Sequence, residues 1–414
     1  MSAESHLVLM GLISFCALLL LLSIVRQYAH RSVIPPDAWV LLAGIFYGVG
    51  LKKFDIQSLP TFELSPDVII LIFLPLLIFA SGRFINLQAL KSEAAPISFF
   101  AIVGVLFTSF AIGAPVAWAL DIPLLHGLLI GAAAGATDPA AVAAIFHSFD
   151  IPTRLGLIVE GESLFNDGTT VVLFGLVVSL VIGSESFSFY QSLGTFVWAI
   201  IIALPLGAAC GYVGAKVLLY WQQKNVFLEV SMTFIISYAA FLIAEELLHV
   251  SGVIAVLMAA VLFVKTYHAT EAREEKERVN RRILSEFWDY TSIVINGILF
   301  FSLGAATGLH DFSEVPTIAM VAALGSLVLS RLVLVYGGSA LLRLFNIRLA
   351  LTWQHILVFG GLRGAVSAAL ILMIPHDYPH RGVFLCLAFA MIAFTLIVQP
   401  VLMKMYLQRN EIVE

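Results

Sequence analysis

Four acidic residues, Asp138, Glu160, Glu162 and Asp167, fall within thirty positions of one another in stretches otherwise apolar enough to cross a membrane. A charge at the bilayer centre costs roughly 2.5–3.5 kcal/mol even on a lenient insertion scale, so intramembrane acids tend to face cavities and to carry function. Thr137, Ser163 and Asn166 stand beside them. Carboxylate, hydroxyl and amide oxygens together form the hard ligand set that a small cation needs. The residue types alone therefore point to ion transport.

The elements that must position this set are membrane helices. The chain has 414 residues, 60% of them hydrophobic and only 12% charged, and its mean hydropathy is +1.00. That composition excludes a soluble domain and implies an all-α polytopic membrane protein. Thirteen apolar runs approach spanning length, near 7–25, 38–51, 67–82, 96–120, 123–147, 155–183, 193–215, 228–248, 252–264, 290–309, 316–340, 351–373 and 382–403. With the N-terminus outside, seventeen basic residues fall on the inner face and three on the outer, leaving only Arg331 and Arg363 inside spans. Excess basic charge marks the cytoplasmic face, so this split predicts thirteen transmembrane helices, N-terminus out and C-terminus in. The first residues carry no basic cluster, which predicts a retained first span. Cys16, Cys210 and Cys386 are scattered through apolar stretches and give no disulfide or metal spacing. The stretch 265–289 mixes six bases with six acids, the pattern of a solvated cytoplasmic helix.

Two spans contain helix-breaking sequence at mid-membrane. Span five holds Gly135-Ala136-Thr137-Asp138-Pro139 and span twelve holds Gly360-Gly361-Leu362-Arg363-Gly364. Proline removes a backbone donor and disfavours helix before it. An offset of seven spans, an odd number, makes the two halves run oppositely across the membrane. Inverted repeats with interrupted helices in matching places mark the binding site of a secondary transporter. On an ideal helix Ser163 and Asp167 are i,i+4 neighbours, as are Glu162 and Asn166, so span six carries two adjacent polar stripes. Arg331 and Arg363 are the intramembrane cations available to balance the acids, and burial of either sign demands pairing.

Taken together, Ala136-Thr137-Asp138-Pro139, the segment Glu160 to Asp167, Ser330-Arg331 and Gly360 to Ser367 resemble the CPA1 family of monovalent cation:proton antiporters, the NhaP-type proteins and sodium/hydrogen exchangers. The resemblance implies a core near 96–183 and 316–403, in which broken spans five and twelve cross, and a dimerisation part near 7–82 and 193–309. It also implies a homodimer with an elevator-like motion. Carried over, Asp167 is the principal ion- and proton-binding carboxylate, with Asp138, Ser163 and Thr137 as supporting ligands. Asn166 helps hold the broken helices, Glu162 pairs with Arg331, and Arg363 balances helix ends at the crossing. Family members often carry an acid in span three, shortly after paired prolines; here Ala80 stands in that place.

The expected activity is exchange of Na+ or Li+, or alternatively K+, for H+ through competition at one buried carboxylate. Electrogenic relatives carry a second Asp where this chain has Asn166, so a one-for-one electroneutral cycle is expected. A cation channel would need a filter or charged rings, and neither is visible. An intramembrane aspartyl protease would need Tyr-Asp and Gly-x-Gly-Asp contexts, which are missing. No cofactor and no nucleic-acid partner is expected; the partners are the bilayer, the ions and a second copy. The short tail after the last span and the lack of glycosylation sites fit a prokaryotic plasma membrane. Glu160 reads as a helix-start acid. Glu245, Glu246 and His249 read as an outer rim, and His376, Asp377 and His380 as a short outer loop.

Overall fold

The computed structural model describes residues 3–29, 32–56, 59–83, 87–146, 149, 151–182, 189–221, 225–268 and 275–410. Every regular element among them is a helix. In chain order these are α1 (Ala3–Ala29), α2 (Pro36–Lys53), α3 (Pro66–Gly82), α4 (Leu87–Ser92), α5 (Ala94–Leu120), α6 (Leu124–Ala133), α7 (Pro139–Phe146) and α8 (Thr153–Ile182). There follow α9 (Phe189–Tyr220), α10 (Val226–Leu247), α11 (Gly252–His268), α12 (Glu275–Gly308), α13 (Thr317–Leu344), α14 (Leu351–Phe359), α15 (Ala365–Leu372) and α16 (Arg381–Leu407). Among the described residues, eight helices are long and apolar enough to cross a membrane: α1, α5, α8, α9, α10, α12, α13 and α16. Helices α3, α5 and α10 each contain a π-helical turn, at Ile69–Phe73, Phe99–Val103 and Ile243–Leu247.

The chain divides into two compact units. The first comprises Met1–Ile69, Phe107–Pro152 and Val294–Glu414. Its helices approach closely through glycine. A Cβ on Gly44 would lie 2.3 Å from the Phe301 carbonyl, and one on Gly48 2.1 Å from that of Ala305. Gly304 and Gly308 of α12 answer with equally short approaches to α2. Small residues four apart let membrane helices touch backbone to backbone, and van der Waals contact there replaces the missing hydrophobic drive. The α5–α6 pair uses the same device through Gly113, Gly127 and Gly131.

The second unit comprises Ile70–Leu106 and Thr153–Ile293. Gly207 and Gly211 of α9 ride on the Ala255 and Ala259 carbonyls of α11, where a Cβ would stand 2.0 and 2.1 Å away. Arg154, at the start of α8, forks onto Glu93 with contacts of 2.7 and 3.0 Å. The polar stretch 265–289 differs from a free-standing loop. Residues 269–274 lie outside the described set, but from Glu275 the chain is one helix running on to Gly308. Asn280 and Trp288 are buried there, donating to Glu229 Oε1 at 3.0 Å and Thr233 Oγ1 at 3.1 Å. From Glu275 the charged stretch is helical, and these two residues tie one face of it to α10.

The broken helices α6–α7 and α14–α15 match segment for segment within the first unit. Each consists of a leading half, a five-residue break and an eight-residue trailing half. The leading halves end in near-identical backbone, φ −77° and ψ 1° at Ala134 against φ −74° and ψ 0° at Gly360. They also begin alike, after extended residues Pro123 and Ala350.

Candidate functional site

Proline and glycine stop these helices in mid-course, and the stopped backbone must find partners because lipid offers none. In the first unit the two breaks satisfy each other. The Asp138 N–H donates to the Leu362 carbonyl at 2.8 Å. Arg363 Nη1 donates to the carbonyls of Gly135 and Ala136, each at 3.3 Å, and the Ser367 hydroxyl donates to Ala136 O at 3.2 Å. Those carbonyls follow the end of α6, where the helix dipole leaves partial negative charge, so a guanidinium is the right counter-group. At the start of α7 the Asp138 Oδ1 accepts from the Ala140 N–H at 2.8 Å, a carboxylate cap on a positive helix end. The break backbones meet so closely that a Cβ on Gly364 would lie 2.7 Å from the Asp138 Cβ. A cavity of about 10 Å³, roughly one water, borders Arg363 and Ser367.

Arg331, on α13, supports the second break from the side. Its Nε donates to Leu357 O at 3.0 Å, and its side chain fills the space a Cβ on Gly361 would need. Thr137, Arg331, Arg363 and Ser367 are all buried, whereas Asp138 is half-buried. Asp37 is a residue that the motif reading passed over. It lies within electrostatic reach of Asp138, with Arg26 as a nearby opposite charge. Its one sequence signal is an acid in the first turn of a short apolar helix.

The second unit holds the other carboxylates on α8. Glu162, Ser163, Asn166 and Asp167 are all buried, between 2% and 7% exposed, in the middle of a thirty-residue helix. The predicted stripe thus lies inside the protein, and Glu160 is only half-buried. Close packing surrounds the stripe, since a Cβ on Gly161 would meet Ile97 and one on Gly168 would meet Ile254. Ala80 is buried in α3, and the neighbouring Ser81 hydroxyl turns back to Leu77 O at 3.0 Å. Of the rim acids, Glu245 caps α11 by accepting the Gly252 N–H at 2.9 Å.

Residues 16–409 match the family model described as sodium/hydrogen exchanger, transmembrane. The low-affinity Na+/H+ antiporter NhaS1 of Synechocystis sp. is 32% identical over 362 residues, covering 86% of this chain and 66% of that protein. This chain therefore spans about two thirds of that relative's length. The Na+/H+ antiporter NhaP of Pseudomonas aeruginosa is 30% identical, with 93% of each chain covered. The sodium/proton antiporter MjNhaP1 of Methanocaldococcus jannaschii has the same fold, with a TM-score of 0.79 at 20% identity and 99% of each chain covered.

Proposed function

Because the chain belongs to the sodium/hydrogen exchanger family of multi-pass membrane transporters, we propose that it exchanges Na+ or Li+ for H+ across the membrane, one for one. The observation that carries this reading is the pair of mutually satisfied helix breaks, with the half-buried acid Asp138 at one of them. Asp138, Thr137 and Ser163 assist Asp167 in holding the cation. Asn166 steadies the broken helices, Glu162 pairs with Arg331, and Arg363 balances the carbonyl ends at the crossing.

The cycle follows from charge. Burial favours the protonated form of a carboxylate, and a bound cation favours the ionised form, so Asp167 holds one or the other. A bare carboxylate is expensive to move through the barrier, and a loaded one is not. Exchange is then coupled without a separate gate. The matched broken helices support an inverted repeat in a thirteen-span topology with the N-terminus out. The parts near 96–183 and 316–403 move as an elevator against a homodimer formed by those near 7–82 and 193–309. With Ala80 in span three, K+ is the alternative cation. The test is cation-induced proton movement in proteoliposomes with Na+, Li+ and K+ supplied separately. A K+-only response selects the alternative, and no response to any ion removes the reading.

A further inference from the structure

Two histidine–tyrosine pairs stand at opposite ends of α16. Just before its start, His126 Nδ1 lies 2.6 Å from the Tyr378 hydroxyl, and the two rings stack with centroids 5.8 Å apart. Near its end, His355 Nδ1 lies 2.8 Å from the Tyr406 hydroxyl, edge to face at 5.2 Å. The helix between them has 27 residues, so the pairs are about 40 Å apart along it, a full membrane thickness. Each histidine sits on a leading half-helix, His126 in the first turn of α6 and His355 at the middle of α14. The C-terminal ends of those same half-helices carry the crossing, so the first pair holds α6 near its free end and the second holds α14 at its midpoint, five residues before Gly360.

We propose that these pairs are pH-responsive fasteners, one at each membrane face, that set how freely the two broken helices shift during exchange. The proposal rests on the antiporter reading above. A neutral imidazole can accept the tyrosine O–H at Nδ1, but a protonated one donates from both nitrogens, so protonation reverses the polarity of the bond and frees the tyrosine hydrogen. Histidine is the side chain whose ordinary titration falls between about pH 5 and 8. The surroundings are sparse in competing charge. His126 faces Tyr378 and His380, while neither α15 nor the stretch Gly104–Leu120 of α5 contains an ionisable residue. His355 faces Tyr406 of α16 and Tyr336 of α13, whose ring is 6.0 Å away, and Arg331 of α13 is a nearby charge, donating to the Leu357 carbonyl of the same half-helix. None of these groups belongs to the ion-binding set, so the device acts through position and not through the ion.

The test compares wild type with His126→Gln and His355→Gln, which keep a hydrogen-bonding side chain without its titration. Sodium-driven proton exchange is recorded in proteoliposomes while the pH of each face is varied separately. On the proposed topology, His126→Gln displaces the half-maximal pH at the outer face and His355→Gln at the inner, each by about half a unit, threefold in proton activity, or more. Thermal unfolding of the same proteins between about pH 5 and 8 reads the pairs without transport. Here the difference from wild type should change across the range. Where a glutamine variant does not fold, Tyr378→Phe or Tyr406→Phe takes its place with the same expectations. Superimposable transport profiles together with a constant unfolding offset would mark merely structural pairs and overturn the proposal. A wild type that moves no ion while its unfolding difference still varies with pH would remove the antiporter reading and leave the fasteners standing.

Discussion

At the residue scale, the site is a matter of where each charge finds its partner. Arg363 spans two carbonyls that no helix bond can satisfy. Arg363→Ala leaves them without the guanidinium, and a buried group without its partner costs about 1–3 kcal/mol. The expected result is a lower melting temperature together with loss of exchange. Arg154 offers the contrast. Arg154→Ala strips the guanidinium from the buried Glu93, with a similar cost of about 1–3 kcal/mol, but the pair belongs to the second unit and the crossing to the first. Melting should fall while folded protein still exchanges; a folded but inactive variant would show that the pair reaches into the transport cycle. The acids of these motifs were legible in the sequence because charge is so rare in membrane spans. Asp37 was not, since an acid in a helix's first turn reads equally well as an ordinary partner of the helix dipole.

At the element scale, helices are held by absent side chains as much as by present ones. Gly211 and Gly48 lie on neighbouring carbonyls, whereas Gly175, in the C-terminal third of α8, has nothing within 4 Å of a built Cβ. Gly211→Val and Gly48→Val should therefore destabilise by about 1–3 kcal/mol or more through overpacking. Gly175→Ala should be neutral, or stabilising by up to about 1 kcal/mol from helix propensity. Thermal unfolding of the three proteins in detergent checks the order; equal effects at all three positions would contradict the packing. The breaks themselves were readable from Gly135 to Pro139 and from Gly360 to Gly364, because proline and clustered glycine act locally. The π-helical turns and the glycine crossings were not, because they depend on which helix lies opposite. The continuity of the charged stretch with α12 was hidden for a related reason. Asn280 and Trp288 are anchored by Glu229 and Thr233, some fifty positions away in sequence.

At the scale of the whole molecule, hydropathy was enough to read a polytopic helical protein from the sequence. The transport cycle adds a constraint on net charge. In the proposed cycle one cation is exchanged for one proton at Asp167 and no net charge moves, so the rate should not respond to an imposed membrane potential. Recording exchange in proteoliposomes clamped by a potassium gradient with an ionophore checks this, and acceleration by voltage would replace the one-for-one stoichiometry with an electrogenic one. The central claim, that one buried carboxylate on α8 carries both substrates, has a more direct test. Cation-induced pH change should be measured in proteoliposomes for wild type and for Asp167→Asn, with folding verified by melting curves. The account predicts a response to Na+ or Li+ in wild type and none in the variant, at comparable stability. Retained exchange in folded Asp167→Asn would contradict it.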